Sequence, residues 1–130
     1  MGSVRFGVIG LSRGQGLAKA CKAVGGATVT ALYDIDSARA THVAAQGGLR
    51  AFDDFETFLA SDIDAVVVAS PLQFHASQAI AALNAGKHVL SEVTACLTVD
   101  DARALVQAAR EHCGVYAFGE LSLPGRDRTA

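Results

Sequence analysis

The chain has 130 residues, 51% hydrophobic and 18% charged, with a formal net charge of -2. That length suits one domain burying roughly two thirds of the surface its unfolded chain exposes. The near-neutral balance, with Lys and Arg scattered along the chain, argues against a nucleic-acid or anionic-membrane partner. No unbroken apolar run is longer than residues 65–69 and no signal-peptide pattern opens the chain, so a soluble, cytoplasmic protein with a small-molecule partner is expected. Cys21, Cys96 and Cys113 lack CxxC spacing and the four histidines lack HxxxH or HxH grouping, which predicts buried free thiols and no metal site.

Taken in chain order, residues 4–9 are rich in strand formers and end at Gly10; Leu17, Ala18, Ala20, Cys21 and Val24 then recur at helical spacing up to Gly25-Gly26. The pattern repeats with a strand over 28–33, a helix from about Ser37 closed by Gly47-Gly48, and a strand over 49–52. A short helix follows, opening at Asp53, where Asp53 and Glu56 fit a capping box. Residues 64–69, DAVVVA, show no alternation and read as a strand buried on both faces. A helix over 75–85 stops at Gly86, and a fifth strand covers 88–93. A helix introduced by Thr98 carries Leu105, Val106, Ala109 and Cys113 on one face and ends at Gly114, before a sixth strand over 115–118. Six strand-helix units predict an α/β fold: a doubly wound, parallel, six-stranded sheet with helices on both faces. Residues 1–120 form this domain, and residues 121–130 read as an irregular tail.

The glycines at 10, 14 and 16 fall where the first strand meets the first helix. Such a turn presents free N–H groups at the positive end of a helix dipole, a place where a phosphate fits. Alignment of G-x-G-x-x-G on Gly10 puts Ser12 and Gln15 at the second and third glycine positions, whereas G-x-x-x-G-x-G resembles the loop of short-chain dehydrogenases. Asp34 ends the second strand about two dozen residues after Gly10, where a carboxylate accepts hydrogen bonds from an adenosine ribose diol. The plainer reading makes Asp34 a helix cap, although Asp36 and Ser37 lie closer to the next helix. On the same fold an adenine-nucleotide or coenzyme A binder is a weaker alternative.

The segment DIDAVVVASPLQFHASQAIAALNAGKHVLSEVTACLTVDDARALVQAA resembles the Gfo/Idh/MocA oxidoreductases. The resemblance runs from Val4 to about Glu120. The family's T-P-N-x-x-H is matched by Ser70-Pro71-Leu72-Gln73-Phe74-His75, its A-G-K-H-V by residues 85–89, and its E-K-P by Glu92-Val93-Thr94. Neither Tyr33 nor Tyr116 is followed by a lysine four residues on, so the short-chain dehydrogenase pair has no counterpart.

The resemblance implies a Rossmann domain binding NAD, with NADP less expected. Gly10, Ser12, Arg13, Gly14 and Gln15 would lie at the pyrophosphate, Asp34 at the adenosine ribose, Ser70 and Pro71 along the cleft, His75 at the start of the helix beside it, and Glu92 at the nicotinamide ribose. For His75 the residues leave open a histidine satisfied by local backbone. Arg13 is the one feature that favours a 2′-phosphate. The family's lysine is here Val93, and its second, sheet-rich substrate domain is not among these residues. No catalytic residue is therefore assigned. The expected function is the cofactor domain of a sugar or polyol dehydrogenase, inactive alone. The alternative is a dinucleotide-binding redox sensor or interaction module, and exposed apolar surface or the sixth-strand edge suggests self-association.

Overall fold

The computed structural model describes residues 2–119, except the side chains of Arg13, Leu17 and Lys22. The tail expected over 121–130 lies outside the described residues. Six parallel strands, β1 (Val4–Ile9), β2 (Ala27–Tyr33), β3 (Arg50–Phe52), β4 (Ala65–Val68), β5 (His88–Glu92) and β6 (Tyr116–Gly119), form one sheet in the order β3-β2-β1-β4-β5-β6. Between them run α1 (Leu11–Ala23), α2 (Ser37–Gly47), α3 (Phe55–Ala60), α4 (His75–Asn84) and α5 (Val99–Glu111). A 3-10 turn, Leu72–Phe74, precedes α4 and was not expected from the periodicity.

The sheet separates two apolar cores. On one face Val8, Leu32 and Val67 pack against Leu11 of α1 and Ala40 and Ala44 of α2. On the other, Ile9, Val66, Val68 and Val89 pack against α3, α4 and α5 through Phe58, Ala79, Leu83 and Leu105. All four residues of β4 are buried, as its unbroken apolar pattern predicts for a central parallel strand. In β2 the register against β1 shifts between Phe6 and Gly7. The extra residue changes the phase of the strand, so that Val29 and Leu32 join the same core while Ala31 joins the other.

Three local expectations are corrected. The short helix opens one residue later than Asp53: Asp54 is its cap, accepting the Thr57 N–H at 2.8 Å. Helix α5 buries Leu105 and Ala108, while Val106 and Cys113 are exposed. The helix ends at Glu111 and His112 is already extended, which takes Cys113 out of helical phase. Nor are the thiols fully buried, for Cys21 and Cys96 are only partly covered. Burial nonetheless pushes the Cys21 thiol up from its ordinary range. Among the described residues no helix is long and apolar enough to cross a membrane.

At the sheet edge remote from the strand C-termini, Arg5 and Asp64 join the starts of β1 and β4. Asp64 Oδ2 accepts the Arg5 backbone N–H at 2.8 Å and Nε–H at 3.2 Å, and Oδ1 accepts from Nη2 at 3.0 Å. These bonds from Arg5 hold the Asp64 carboxyl down at about 2, below its ordinary 3.8. A depressed carboxyl stabilises the fold above its unfolded value and stops doing so as pH falls through the folded one. Stability measured by urea unfolding should therefore fall between pH 3.8 and about 2. In Asp64→Asn the fall over that window should be shallower, and an unchanged slope would refute the assignment.

Candidate cofactor site

The site begins where β1 ends. Gly10 takes φ +88°, a backbone conformation costly for any residue with a side chain. A Cβ at this position would lie 2.5 Å from the Ser70 nitrogen and 2.6 Å from the Ala69 carbonyl carbon. The turn can therefore touch the end of β4 only as glycine. Because β1 and β4 are neighbours whose following helices leave to opposite faces of the sheet, a crevice opens between the two turns.

Helix α1 starts at Leu11, sooner than the glycine spacing suggests, which corrects the picture of a loop reaching Gly16. Gly14 N–H donates to Gly10 carbonyl oxygen at 3.0 Å, an intrahelical bond. Its missing side chain serves packing: a Cβ there would lie 2.5 Å from Val8 Cγ1, so Gly14 lets α1 rest on β1. That is the role of the third glycine in the dinucleotide fingerprint, here reached one residue earlier. Gln15 is exposed within the helix. Arg13 has its backbone in the first turn, while its side chain lies outside the described residues.

Asp34 follows β2 and is only 5% exposed. Its Oδ2 accepts the Leu11 N–H at 2.8 Å and its Oδ1 the Asp36 N–H at 2.8 Å. The carboxylate thus anchors the start of α1 and the turn into α2, and among the described residues these hydrogen bonds take two of its four lone-pair sites. The cap of α2 is Asp36, which accepts the Arg39 N–H at 3.2 Å.

A cavity of about 570 Å³ lies over these turns, lined by Gly10, Ser12, Asp34, Ser70 and Pro71 among others. Five expected residues from three separate segments thus share one cavity. Two aromatic residues of its lining, Tyr33 and Phe55, rest on the fully buried Phe58, with centroid separations of 5.8 and 6.3 Å. Ser70 hydroxyl donates to Gln78 Oε1, tying the cavity wall to α4.

His75 and Glu92 are not among the cavity-lining residues; they are 1% and 5% exposed. The His75 ring lies between two carbonyl oxygens, Nε2 at 2.6 Å from Ser70 and Nδ1 at 2.8 Å from Thr94. Only the first is local in sequence. Glu92 ends β5 opposite Gly119, and the neighbouring Val93, 39% exposed, is joined to Thr94 by a cis peptide bond.

Sequence reasoning missed Arg39, Ile35 and Phe74, which also line the cavity. Arg39 Nη1 stands 3.8 Å from Asp34 Oδ2 and Nη2 stands 3.9 Å from Asp36 Oδ2. A signal for Arg39 was present: a cation in the first turn of a helix opposes the helix dipole and calls for a local reason. Phe74 gave none, since its position depends on the 3-10 turn.

A parallel sheet whose glycine turn, buried acidic strand end and cavity meet at the switch in strand order defines a dinucleotide-binding domain. The match to the model described as oxidoreductase family, NAD-binding Rossmann fold, over residues 4–120, shows that the chain belongs to the Gfo/Idh/MocA family. It is 41% identical over 87 residues to inositol 2-dehydrogenase of Rhodococcus erythropolis, covering 65% of this chain and 25% of the relative. Scyllo-inositol dehydrogenase from Lactobacillus casei, solved with bound NAD(H) and scyllo-inositol, superposes with a TM-score of 0.83 at 30% identity, covering 90% of this chain and 36% of that one. Biliverdin reductase from Synechocystis sp. PCC 6803, solved with biliverdin and NADP+, gives 0.81 at 28% identity, covering 88% and 37%. The chain therefore spans about a third or less of the length of these relatives.

The close approaches at Gly10 and Gly14 set a testable order of damage. Gly10→Ala should cost more than about 2 kcal/mol, since left-handed backbone adds about 1–2 and overlap with fixed backbone about 1–3. Gly14→Ala should cost less, and Val8→Ala introduced with it should recover part of the loss, because Val8 Cγ1 is what the new methyl meets. Urea midpoints of the four proteins check this; equal losses for the two alanines would contradict it.

Proposed function

We propose that this chain holds NAD(H) in the cavity between the β1, β2 and β4 turns and does not by itself turn over substrate. What carries the reading is the convergence of Gly10, Ser12, Asp34, Ser70 and Pro71 on one cavity in a chain of this family. The pyrophosphate would sit on the N–H groups at the start of α1, where Ser12 and Arg13 follow the Leu11 N–H that Asp34 already occupies. Asp34 would use its remaining lone pairs for the adenosine ribose hydroxyls. Gly14 contributes by letting α1 approach the sheet, and Gln15 stands at the outer side of the same helix. Glu92, at the carboxyl end of β5, is assigned to the nicotinamide ribose. His75 acts behind the cavity wall. The bound cofactor supplies hydride transfer.

The preference for NAD(H) rests on Asp34, whose carboxylate repels a 2′-phosphate. Arg39 joins Arg13 as a counterweight, for it lines the same cavity and is only loosely paired. Relatives of both kinds exist, one solved with NAD(H) and one with NADP+. Titration followed by nicotinamide fluorescence should give tighter binding of NADH than NADPH. Arg39→Ala should weaken NADPH about tenfold more than NADH, the scale of one hydrogen bond to a charged group. Tighter NADPH binding by the unaltered protein would refute the preference.

The parent chemistry we infer is hydride transfer between the nicotinamide and a sugar or polyol, in line with relatives named as inositol dehydrogenases. Proton transfer by a positioned group is worth about 10²–10⁴ in rate, and Val93 supplies none. Substrate positioning is worth up to about 7–11 kcal/mol of barrier, and none of the residues assigned to the cavity is given that role. The same valine favours the second reading, a dinucleotide-binding sensor or interaction module. The exposed Val115 and Phe118, beside and on the edge strand β6, support association in either case. Incubation of the chain, and of Val93→Lys, with NAD and a panel of polyols should yield no NADH. Steady turnover by the unaltered chain would overturn the binding-only assignment.

A further inference from the structure

His75 opens α4 with its ring sealed from water, and both ring nitrogens meet carbonyl oxygens at 2.6 and 2.8 Å. A carbonyl oxygen only accepts, while a neutral imidazole offers one N–H and one lone pair. A neutral ring would therefore set a lone pair against an oxygen at hydrogen-bond distance, in a place where no solvent relieves it. Only a ring with a proton on each nitrogen donates to both partners. Titratable and charged groups on the flanking segments are Glu92 on β5, Cys96 in the turn after it, Tyr116 on β6 and, on α5, which packs against α4, Asp100, Asp101, Arg103, Arg110 and Glu111; residues 69–84 contribute His75 alone.

The two carbonyls belong to different parts of the site. Ser70 lines the cavity wall after β4, and Thr94 lies two residues after Glu92. The pairing of β4 with β5 ends at Val68 and Ser91, and the ring joins the turns that follow. We propose that His75 is a positioning residue of the cofactor site, protonated on both ring nitrogens, which locks these two turns together so that the wall at Ser70 and the segment of Glu92 and Val93 keep one spacing. The inference rests on the dinucleotide reading above for its functional side. The tether itself is testable without ligand.

In the uniformly nitrogen-15-labelled full chain, free of cofactor, long-range proton-nitrogen correlation at neutral pH should show both His75 ring nitrogens as N–H donors. The exposed His42 serves as the internal reference. A bare lone-pair nitrogen on His75 would overturn the proposal, and this measurement needs no variant to fold. His75→Phe should bind NADH about tenfold more weakly, as expected for loss of a charge-assisted hydrogen bond, and His75→Gln, which keeps one donor, should recover part of that. Amide exchange at Ser70, Leu72, Thr94 and Ala95 should accelerate together in His75→Phe while β1 to β3 stay protected. Acceleration in one turn alone, or unchanged NADH affinity in a folded His75→Phe, would refute the tether. Absence of NADH binding in the unaltered protein would instead remove the nucleotide reading, leaving the ring spectrum and the exchange pattern to decide the tether.

Discussion

The structure depends on one close approach, the backbone of Gly10 against the backbone of Ala69 and Ser70. No side chain fits between them, and the turn needs a left-handed φ that glycine tolerates. With that contact made, β1 and β4 run side by side to their last residues, and their helices leave on opposite faces. The crevice is thus a consequence of packing two strands tightly at their ends. A bulkier turn would part the strands and lose the shared wall of the cavity.

Asp34 shows how one buried charge serves fold and site together. A carboxylate 5% exposed is costly unless its charge is met by donors, and it meets two backbone N–H groups, one at the positive end of α1. The reading of Asp34 as a ribose ligand and the plainer reading as a local cap are therefore not exclusive. It does not cap α2, which Asp36 does, but it secures the first amide of α1 from 23 residues away. Arg39 then finds its place against the helix dipole because two carboxylates, Asp34 and Asp36, stand within 4 Å of its guanidinium.

Local signals in the chain carried much of this. The six strands and five helices follow the expected order, because punctuation by Gly10, Gly48, Gly86 and Thr98 is strong and the apolar runs between are short. Errors arose where a local rule had two near-equal solutions. Asp53 and Asp54 are both competent caps, and the α5 pattern offers apolar residues on more than one face, so that packing chose Leu105 and Ala108 and left Val106 outside. The three glycines read as one loop, yet Gly14 is absorbed into α1 because its value lies in the contact with Val8.

By itself the sequence determined the fold class, the glycine turn after β1 and the acidic end of β2, since these follow from periodicity, glycine spacing and residue type within a few positions of one another. Only the tertiary structure decided which residues share the cavity, brought Arg39 and Phe74 into it, and drew the His75 ring between carbonyls of residues 70 and 94. The physical reason is range. A cap or a turn is settled by neighbours along the chain, whereas a cavity wall and a buried ring are settled by segments dozens of residues apart, whose spacing exists only once the sheet has formed.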